Sequence, residues 1–257
     1  RARKERMAVT FEKKKILRLG YNLVRFSKPY KKNNLSYSRV LPHAIYSPWF
    51  DDKEFQKIYE PIAGKFTLVD IYRCYDLWQL IEQTDKLNSN ADVLEVGVWR
   101  GGTSTIMAKH LEILGSKSKI YSADTFEGVV KTSAKDNSYN GGEHSDTSLE
   151  LFTNLFKSHN LNNIIPLKGI FPEDTAHLIP SDSKFKLCHI DVDVYLSAKD
   201  VQAWIWDKLI IGGVVVFDDF GFSSTDGITN FVNEQRKLTD RTVIHNLNGH
   251  AVIIKLK

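Results

Sequence analysis

The sequence predicts an α/β fold: a mostly parallel sheet of about seven strands, helices on both faces, and an antiparallel hairpin at the end. Three observations carry this. Short apolar runs bounded by turn residues alternate with longer segments whose apolar residues recur at helical spacing. The run 91–102, ADVLEVGVWRGG, passes from a buried strand into a glycine turn and a helix start, the order that builds a nucleotide-type pocket. The chain finishes in two strand-like runs, TVIHN and AVIIKL, joined through Asn248-Gly249.

Taken in order, residues 1–34 read as a basic tail or interdomain connector. Residues 1–32 hold twelve Lys or Arg against Glu5 and Glu12, so the rest of a chain of net charge +4 is acidic. Apolar residues from Ile16 to Phe26 are interleaved with these charges, which allows an amphipathic helix. A solvated arm is the preferred reading, with surface association to an anionic membrane as the alternative and no nucleic-acid partner expected. Residues 28–35 read as a loop. Residues 35–66 read as a lid or flap, in which Trp49, Phe50, Phe55 and Tyr59 either close over a substrate or simply pack.

The main domain is expected over 67–257. Residues 67–83 give an amphipathic helix with Thr67 as cap. Val93, Leu94, Val96 and Val98 mark a buried parallel strand. Residues 103–114 follow as a helix capped by Thr103 or Ser104, and 119–124 as a strand ending in Asp124. A turn, TFEG, leads into a polar stretch to Ser148 whose Gly141-Gly142-Glu143-His144 suggests a loop over the pocket. Then come a helix at 148–160, strands at 163–169, 186–193 and 212–219, and helices at 195–209 and 226–238, before the hairpin.

Several classes are excluded or placed. No stretch approaches the ~18 uninterrupted apolar residues of a membrane span, and the start lacks a signal-peptide core. Cys74 and Cys188 do not make a disulfide framework, so a reducing cytoplasm is expected. The first residue is not Met, so a processed chain or a piece of a longer, multidomain one is expected, and homo-oligomerisation stays open.

The chemistry gathers at strand ends. The spacing Glu95-x-Gly97-x-x-x-Gly101-Gly102 is not the G-x-G-x-x-G of a dinucleotide site. An acid at Glu95 suits a ligand with a cationic amino group, and Asp124 is placed to accept from ribose hydroxyls. S-adenosylmethionine fits this better than NAD. Asp191-Val192-Asp193 and Asp218-Asp219 end two strands one βαβ unit apart, so both pairs emerge at the same sheet edge. Carboxylates converging there call for a hard divalent ion, Mg²⁺ most simply, on Asp191, Asp218 and Asp219. The competing reading is that each acid caps a turn or helix. Asp193, two residues past Asp191 on an extended strand, would point the same way and hold a substrate hydroxyl.

With these residues in view, the chain resembles the macrocin-type O-methyltransferases that act on macrolide sugars. The resemblance runs over most of 66–222, through LEVGVWRGGTSTIMA, DTFEG, LKGIFPEDT, HIDVDVYLSAKD and GGVVVFDDFG. It implies a Rossmann-like class I methyltransferase fold. It also implies S-adenosylmethionine bound around Glu95, Gly97, Gly101, Ser104 and Asp124, with Val98, Gly102, Thr103, Thr125, Phe126, Gly169, Phe171 and Asp191 completing the expected set. The divalent cation falls on Asp191, Asp218 and Asp219. The segment after Asp219, the polar residues His245, Asn246 and His250, and the basic tail depart from the family pattern.

The reaction expected is in-line methyl transfer to a sugar hydroxyl, with the ion lowering the hydroxyl's pKa. Asp191 is the first choice of base, with His144 and His245 behind it. Asp193, Tyr195 and Trp49 are expected to meet the acceptor, a glycan, polysaccharide or glycosylated product. The alternatives are a catechol or phenolic acceptor, supported by the aromatic flap, and a non-catalytic module that binds nucleic acid or an anionic surface.

Overall fold

The computed structural model describes residues 15–16, 29–38 and 44–257, and the chain falls into two units, Arg1–Tyr46 and Ser47–Lys257. The stretch of the basic tail that would allow an amphipathic helix lies outside the described residues, apart from Lys15 and Ile16, which are helical. In the first unit, strands β1 (Tyr30–Lys32) and β2 (Leu35–Tyr37) pair antiparallel where the sequence suggested a loop. Asn33 and Asn34 both take positive φ, the backbone of a two-residue hairpin turn that asparagine tolerates.

The second unit opens with a 3₁₀ turn at Pro48–Phe50 and helix α1 (Lys53–Tyr59), capped by Asp52, whose side chain accepts from Phe55 N–H at 3.0 Å. Phe55, Ile58 and Ile62 are buried against Val69, Cys74, Tyr75, Trp78 and Ile106, so this stretch is part of the packed core. Helix α2 (Ile71–Asp85) begins four residues later than expected. Its cap is Asp70, which accepts from Tyr72 and Arg73 N–H, and not Thr67.

Strand β3 (Asp92–Val96) leads to helix α3 (Gly102–Ile113). Its N-cap is Gly101 in the left-handed region, with no side-chain cap, so Thr103 and Ser104 sit inside the first turn. A Cβ on Gly101 would lie 2.3 Å from the Phe152 ring, and its φ of 86° is one that only glycine adopts freely. The rest follows as β4 (Ile120–Asp124), α4 (Leu149–Ser158), β5 (Ile164–Lys168), β6 (Phe185–Ile190), α5 (Tyr195–Trp206), β7 (Leu209–Phe217), α6 (Asp226–Gln235), β8 (Arg241–His245) and β9 (Ala251–Lys255).

The seven strands stand in the order β5-β4-β3-β6-β7-β9-β8. All neighbours are parallel except β7–β9 and β8–β9. Alternate residues explain why the strands read as continuous apolar runs. Leu94, Val96, Val215 and Phe217 join one buried cluster, while Val93, Val214 and Val216 join another on the opposite face. Strand order reverses between β3 and β6, which opens a crevice at their carboxyl ends. Among the described residues no helix is long and apolar enough to cross a membrane. Cys74 and Cys188 are both unpaired by disulfide and buried.

Candidate active site

A cavity of about 270 Å³ occupies that crevice. Its floor is made where β3 and β6 end. Gly97 (φ 89°) allows this closeness: a Cβ there would lie 1.7 Å from the Asp191 carbonyl oxygen. Gly97, Val98 and Thr103 line one side, Asp124, Thr125, Gly169 and Phe171 another, and Asp191, Asp193, Asp218 and Asp219 the end beyond. Tyr139 and His144, from the irregular stretch between β4 and α4, also line it. That stretch is tied together by Val129 N–H donating to Glu143 O at 2.8 Å and Gly142 N–H donating to Val129 O at 2.9 Å.

Asp124 accepts from Trp99 N–H at 2.8 Å and from Phe126 N–H at 2.7 Å, one through each oxygen. Burial pushes its carboxyl up, against the pull of these amides. Each oxygen keeps a second lone pair for a ligand hydroxyl. Glu95 is placed differently from the expectation. It is fully buried and is not among the residues lining the cavity. Its carboxylate accepts from Ser104 Oγ and hydrogen-bonds His189 Nδ1 at 2.8 Å. An acid inside β3 rather than at its tip cannot reach past Gly97, so Glu95 and Ser104 brace the floor from below. Gly101, Gly102 and Phe126 likewise shape the walls without lining them; Phe126 packs on Phe152.

Asp191, Asp218 and Asp219 do converge, with one ligand oxygen of each within 4.8 Å of the others. Burial, then the neighbouring acids, push the Asp191 and Asp219 carboxyls far above the usual carboxylate range. Asp218 goes the other way. Burial would raise it, but the nearby His189 imidazole, the hydrogen bond from His250 and the Arg73 charge hold it far below that range. His250 Nε2 lies 2.9 Å from Asp218 Oδ1, and His250 Nδ1 lies 2.8 Å from Asp76 Oδ2. His189 Nε2 is 3.7 Å from the same Asp218 oxygen. Burial lowers the His189 pKa, but its carboxylate partners Asp218 and Glu95 outweigh this and raise it to about 9.

A divalent cation fits this end of the cavity. The donors are hard carboxylate oxygens, and Asp219 Oδ2 is buried with no hydrogen-bond partner. The ionised form of such an orphaned carboxyl needs a positive charge beside it. Asp193 is also strained: it and Asp219 take φ of 63° and 59°. The chain therefore turns after β6, and Asp193 reaches the cavity by that turn and not by strand alternation. It accepts from Tyr139 Oη at 2.6 Å, and His144 Nε2 stands 4.0 Å from its other oxygen.

Three expected residues lie elsewhere. Trp49 packs edge-on to Tyr72 at 5.0 Å and does not line the cavity, which removes the aromatic flap as support for a phenolic acceptor. Tyr195 is buried at the start of α5, where its hydroxyl donates to Glu234 at 2.7 Å. Ser197, two residues on, lines the cavity instead. His245 ends edge strand β8 and packs on Phe220 at 4.7 Å, away from the acids. Sequence reasoning missed Arg73, Tyr139, His189 and, as part of the site, His250. Of these only His189 carried a usable signal, because it shares a strand face with Asp191 and pairs in register with Glu95.

A family model described as macrocin-O-methyltransferase matches residues 41–254. The chain belongs to the macrocin O-methyltransferase family. Demethyldecarbamoylnovobiocin O-methyltransferase of Streptomyces niveus is 27% identical over 170 residues, 62% of this chain and 63% of that protein. Mycinamicin III 3''-O-methyltransferase of Micromonospora griseorubida is 24% identical over 189 residues, 69% of this chain and 74% of that protein. The chain thus spans a little under two thirds of the Streptomyces niveus relative's length. The solved O-methyltransferase NovP superposes with a TM-score of 0.65 at 25% identity, over 76% of this chain and 83% of NovP. The calicheamicin methyltransferase CalS11 shares the fold, with a TM-score of 0.58 at 14% identity over 82% of this chain and 94% of that one. The Rossmann-like class I fold expected of this family is the one found.

Proposed function

We propose that this member of the macrocin O-methyltransferase family is an S-adenosylmethionine- and divalent-cation-dependent O-methyltransferase of the cytoplasm. Its acceptor is a hydroxyl of a sugar within a glycan, polysaccharide or glycosylated natural product. The observation that carries this reading is the cavity joining Gly97 and Asp124 at one end to Asp191, Asp218 and Asp219, with the unpartnered Asp219 oxygen, at the other. The acceptor class is supported by one similar protein, from Streptomyces olivaceus, whose name as a 4'-O-methyltransferase includes a dimethoxy-rhamnosyl group on its tetracenomycin substrate.

When bound, S-adenosylmethionine supplies the methyl group and the cation lowers the pKa of the acceptor hydroxyl. The residues around them orient and exclude water. Asp124 would hold the ribose hydroxyls, and the Gly97 backbone would let the cofactor lie close to the strand end. Asp193, held by Tyr139, would accept from a second hydroxyl on the acceptor and so favour a vicinal diol. The acceptor proton goes to an Asp191 carboxylate oxygen, with His144 Nε2 at the cavity edge as the second candidate.

Calorimetric titration of S-adenosylmethionine and Mg²⁺ tests the first half, on wild type and on Asp218→Asn/Asp219→Asn. Cofactor binding that survives in the double variant while Mg²⁺ binding is lost supports the reading; no cofactor binding by the wild type overturns it. Methyl transfer to diol-bearing sugars, compared for Asp191→Asn and His144→Ala, then assigns the base.

A further inference from the structure

We propose that Arg73 is the resident counter-ion of the acid cluster: it holds the Asp218 oxygen that a divalent cation takes, and yields it when the cation arrives. The inference rests on the divalent-cation reading above. Arg73 lies in the first turn of α2, its side chain about nine-tenths buried, and it lines the cavity. Its Nη1 donates to Asp218 Oδ2 and its Nε donates to Asp70 Oδ2 at 3.1 Å. The other Asp218 oxygen is already taken, with His250 Nε2 at 2.9 Å and His189 Nε2 at 3.7 Å. Oδ2 faces no histidine, and a guanidinium occupies it instead, so a cation that takes this oxygen must displace Arg73.

The arrangement answers a charge problem. Asp191, Asp193, Asp218 and Asp219 meet at the cavity wall, Asp218 buried and the other three half-buried, where like charges repel. A guanidinium never loses its proton, so it can serve as a permanent compensating charge in the absence of a metal ion. The same charge repels an incoming divalent cation and competes with it for Oδ2. Arg73 also has somewhere to go. Asp70 is partly exposed and keeps the Nε contact, and the Phe222 ring lies 5.1 Å from the guanidinium carbon, so the head can withdraw from Asp218 and remain paired and stacked. The acids thus carry their cation weakly and exchangeably, and Arg73 is a positioning residue that keeps Asp218 charged and in place between cations.

The test is Mn²⁺ titration by calorimetry on the metal-stripped full chain, for wild type, Arg73→Gln and Arg73→Lys, with melting curves in chelator and in excess Mn²⁺. Arg73→Gln binds Mn²⁺ at least about tenfold more tightly than wild type, because a competing charge is gone. It melts below wild type in chelator and is raised more than wild type by Mn²⁺. Arg73→Lys, which keeps the charge, stays within about threefold of wild type. Equal or weaker binding by Arg73→Gln overturns the inference and leaves the cation reading standing, as does an equal gain in Arg73→Lys. No binding by either wild type or Arg73→Gln overturns both. Binding by Arg73→Gln alone supports both. Should Arg73→Gln fail to fold, side-chain NMR of the wild-type guanidinium decides: its Nη–H signals shift on adding Mg²⁺, and unchanged signals at saturation overturn the inference.

Discussion

Gly97→Ala adds one methyl group between two strand ends, and its cost can be worked from geometry. The new Cβ would stand 1.7 Å from the Asp191 carbonyl oxygen and 2.6 Å from its carbonyl carbon. Ordinary contact needs about 3.4 Å, so one strand end must move by well over an ångström in a close-packed sheet. Overpacking of this kind costs about 1–3 kcal/mol. The φ of 89° adds about 1–2 kcal/mol for a residue with a Cβ. Gly142 separates the two contributions, since its φ is 88° but nothing lies within 4 Å of a Cβ there. In a domain of this size each kcal/mol lowers the melting temperature by about 2–4 °C. Gly97→Ala should therefore melt roughly 4–20 °C below wild type and Gly142→Ala roughly 2–8 °C below. The activity loss should be larger still, because the displaced residue is Asp191. A shift of an ångström in a reacting group costs about a hundredfold in rate. Melting curves and kcat/KM for methyl transfer check both. A Gly97→Ala protein that melts and turns over like Gly142→Ala would refute the close approach of β3 and β6 as the basis of the site.

Asp219→Asn removes a carboxyl whose ionised form burial and the neighbouring acids disfavour, while keeping a residue that tolerates a positive φ, so metal-free protein should melt at or above wild type as Mg²⁺ binding is lost; a lower melting point in chelator refutes that penalty. His189, with its pKa raised from 6.5 to about 9, contributes stability that is full below pH 6.5 and lost as pH rises through 9. That contribution is about 3 kcal/mol in order of magnitude. In chelator, the melting gap between wild type and His189→Gln should narrow from pH 6.5 to 9, and a constant gap would mean the imidazole is uncharged. Tyr139→Phe leaves Asp193 without its hydroxyl donor and should lower stability by about 1 kcal/mol and kcat/KM for a diol acceptor by about tenfold. If KM and kcat both stay at wild-type values, Asp193 does not depend on Tyr139.

Much of the fold was legible because its evidence is local and repeated. Val93, Leu94 and Val96 around Glu95, and Val214 to Phe217 without a break, are apolar on both faces because both sheet faces are covered, and that pattern survives in one dimension. Helix starts were less legible: Thr67 and Asp70 both can cap, and only the path of the chain into α2 selects Asp70. The 30–37 hairpin was missed because its strands are only three residues long and Lys31-Lys32 before the Asn-Asn turn give the first of them no apolar alternation.

The sequence by itself determined the mostly parallel sheet with its closing hairpin, the glycine turn after β3, and the meeting of Asp191, Asp218 and Asp219 at one sheet edge, since βαβ spacing suffices to bring strand ends to the same edge. Only the tertiary structure decided which polar groups face the cavity and which lie beneath it. Glu95 was sunk into a buried contact with Ser104 and His189, while Arg73, 145 residues from Asp218 along the chain, was brought onto its carboxylate. Side-chain direction at a strand end and charge pairing between distant segments depend on packing across layers, and no spacing along the chain encodes that.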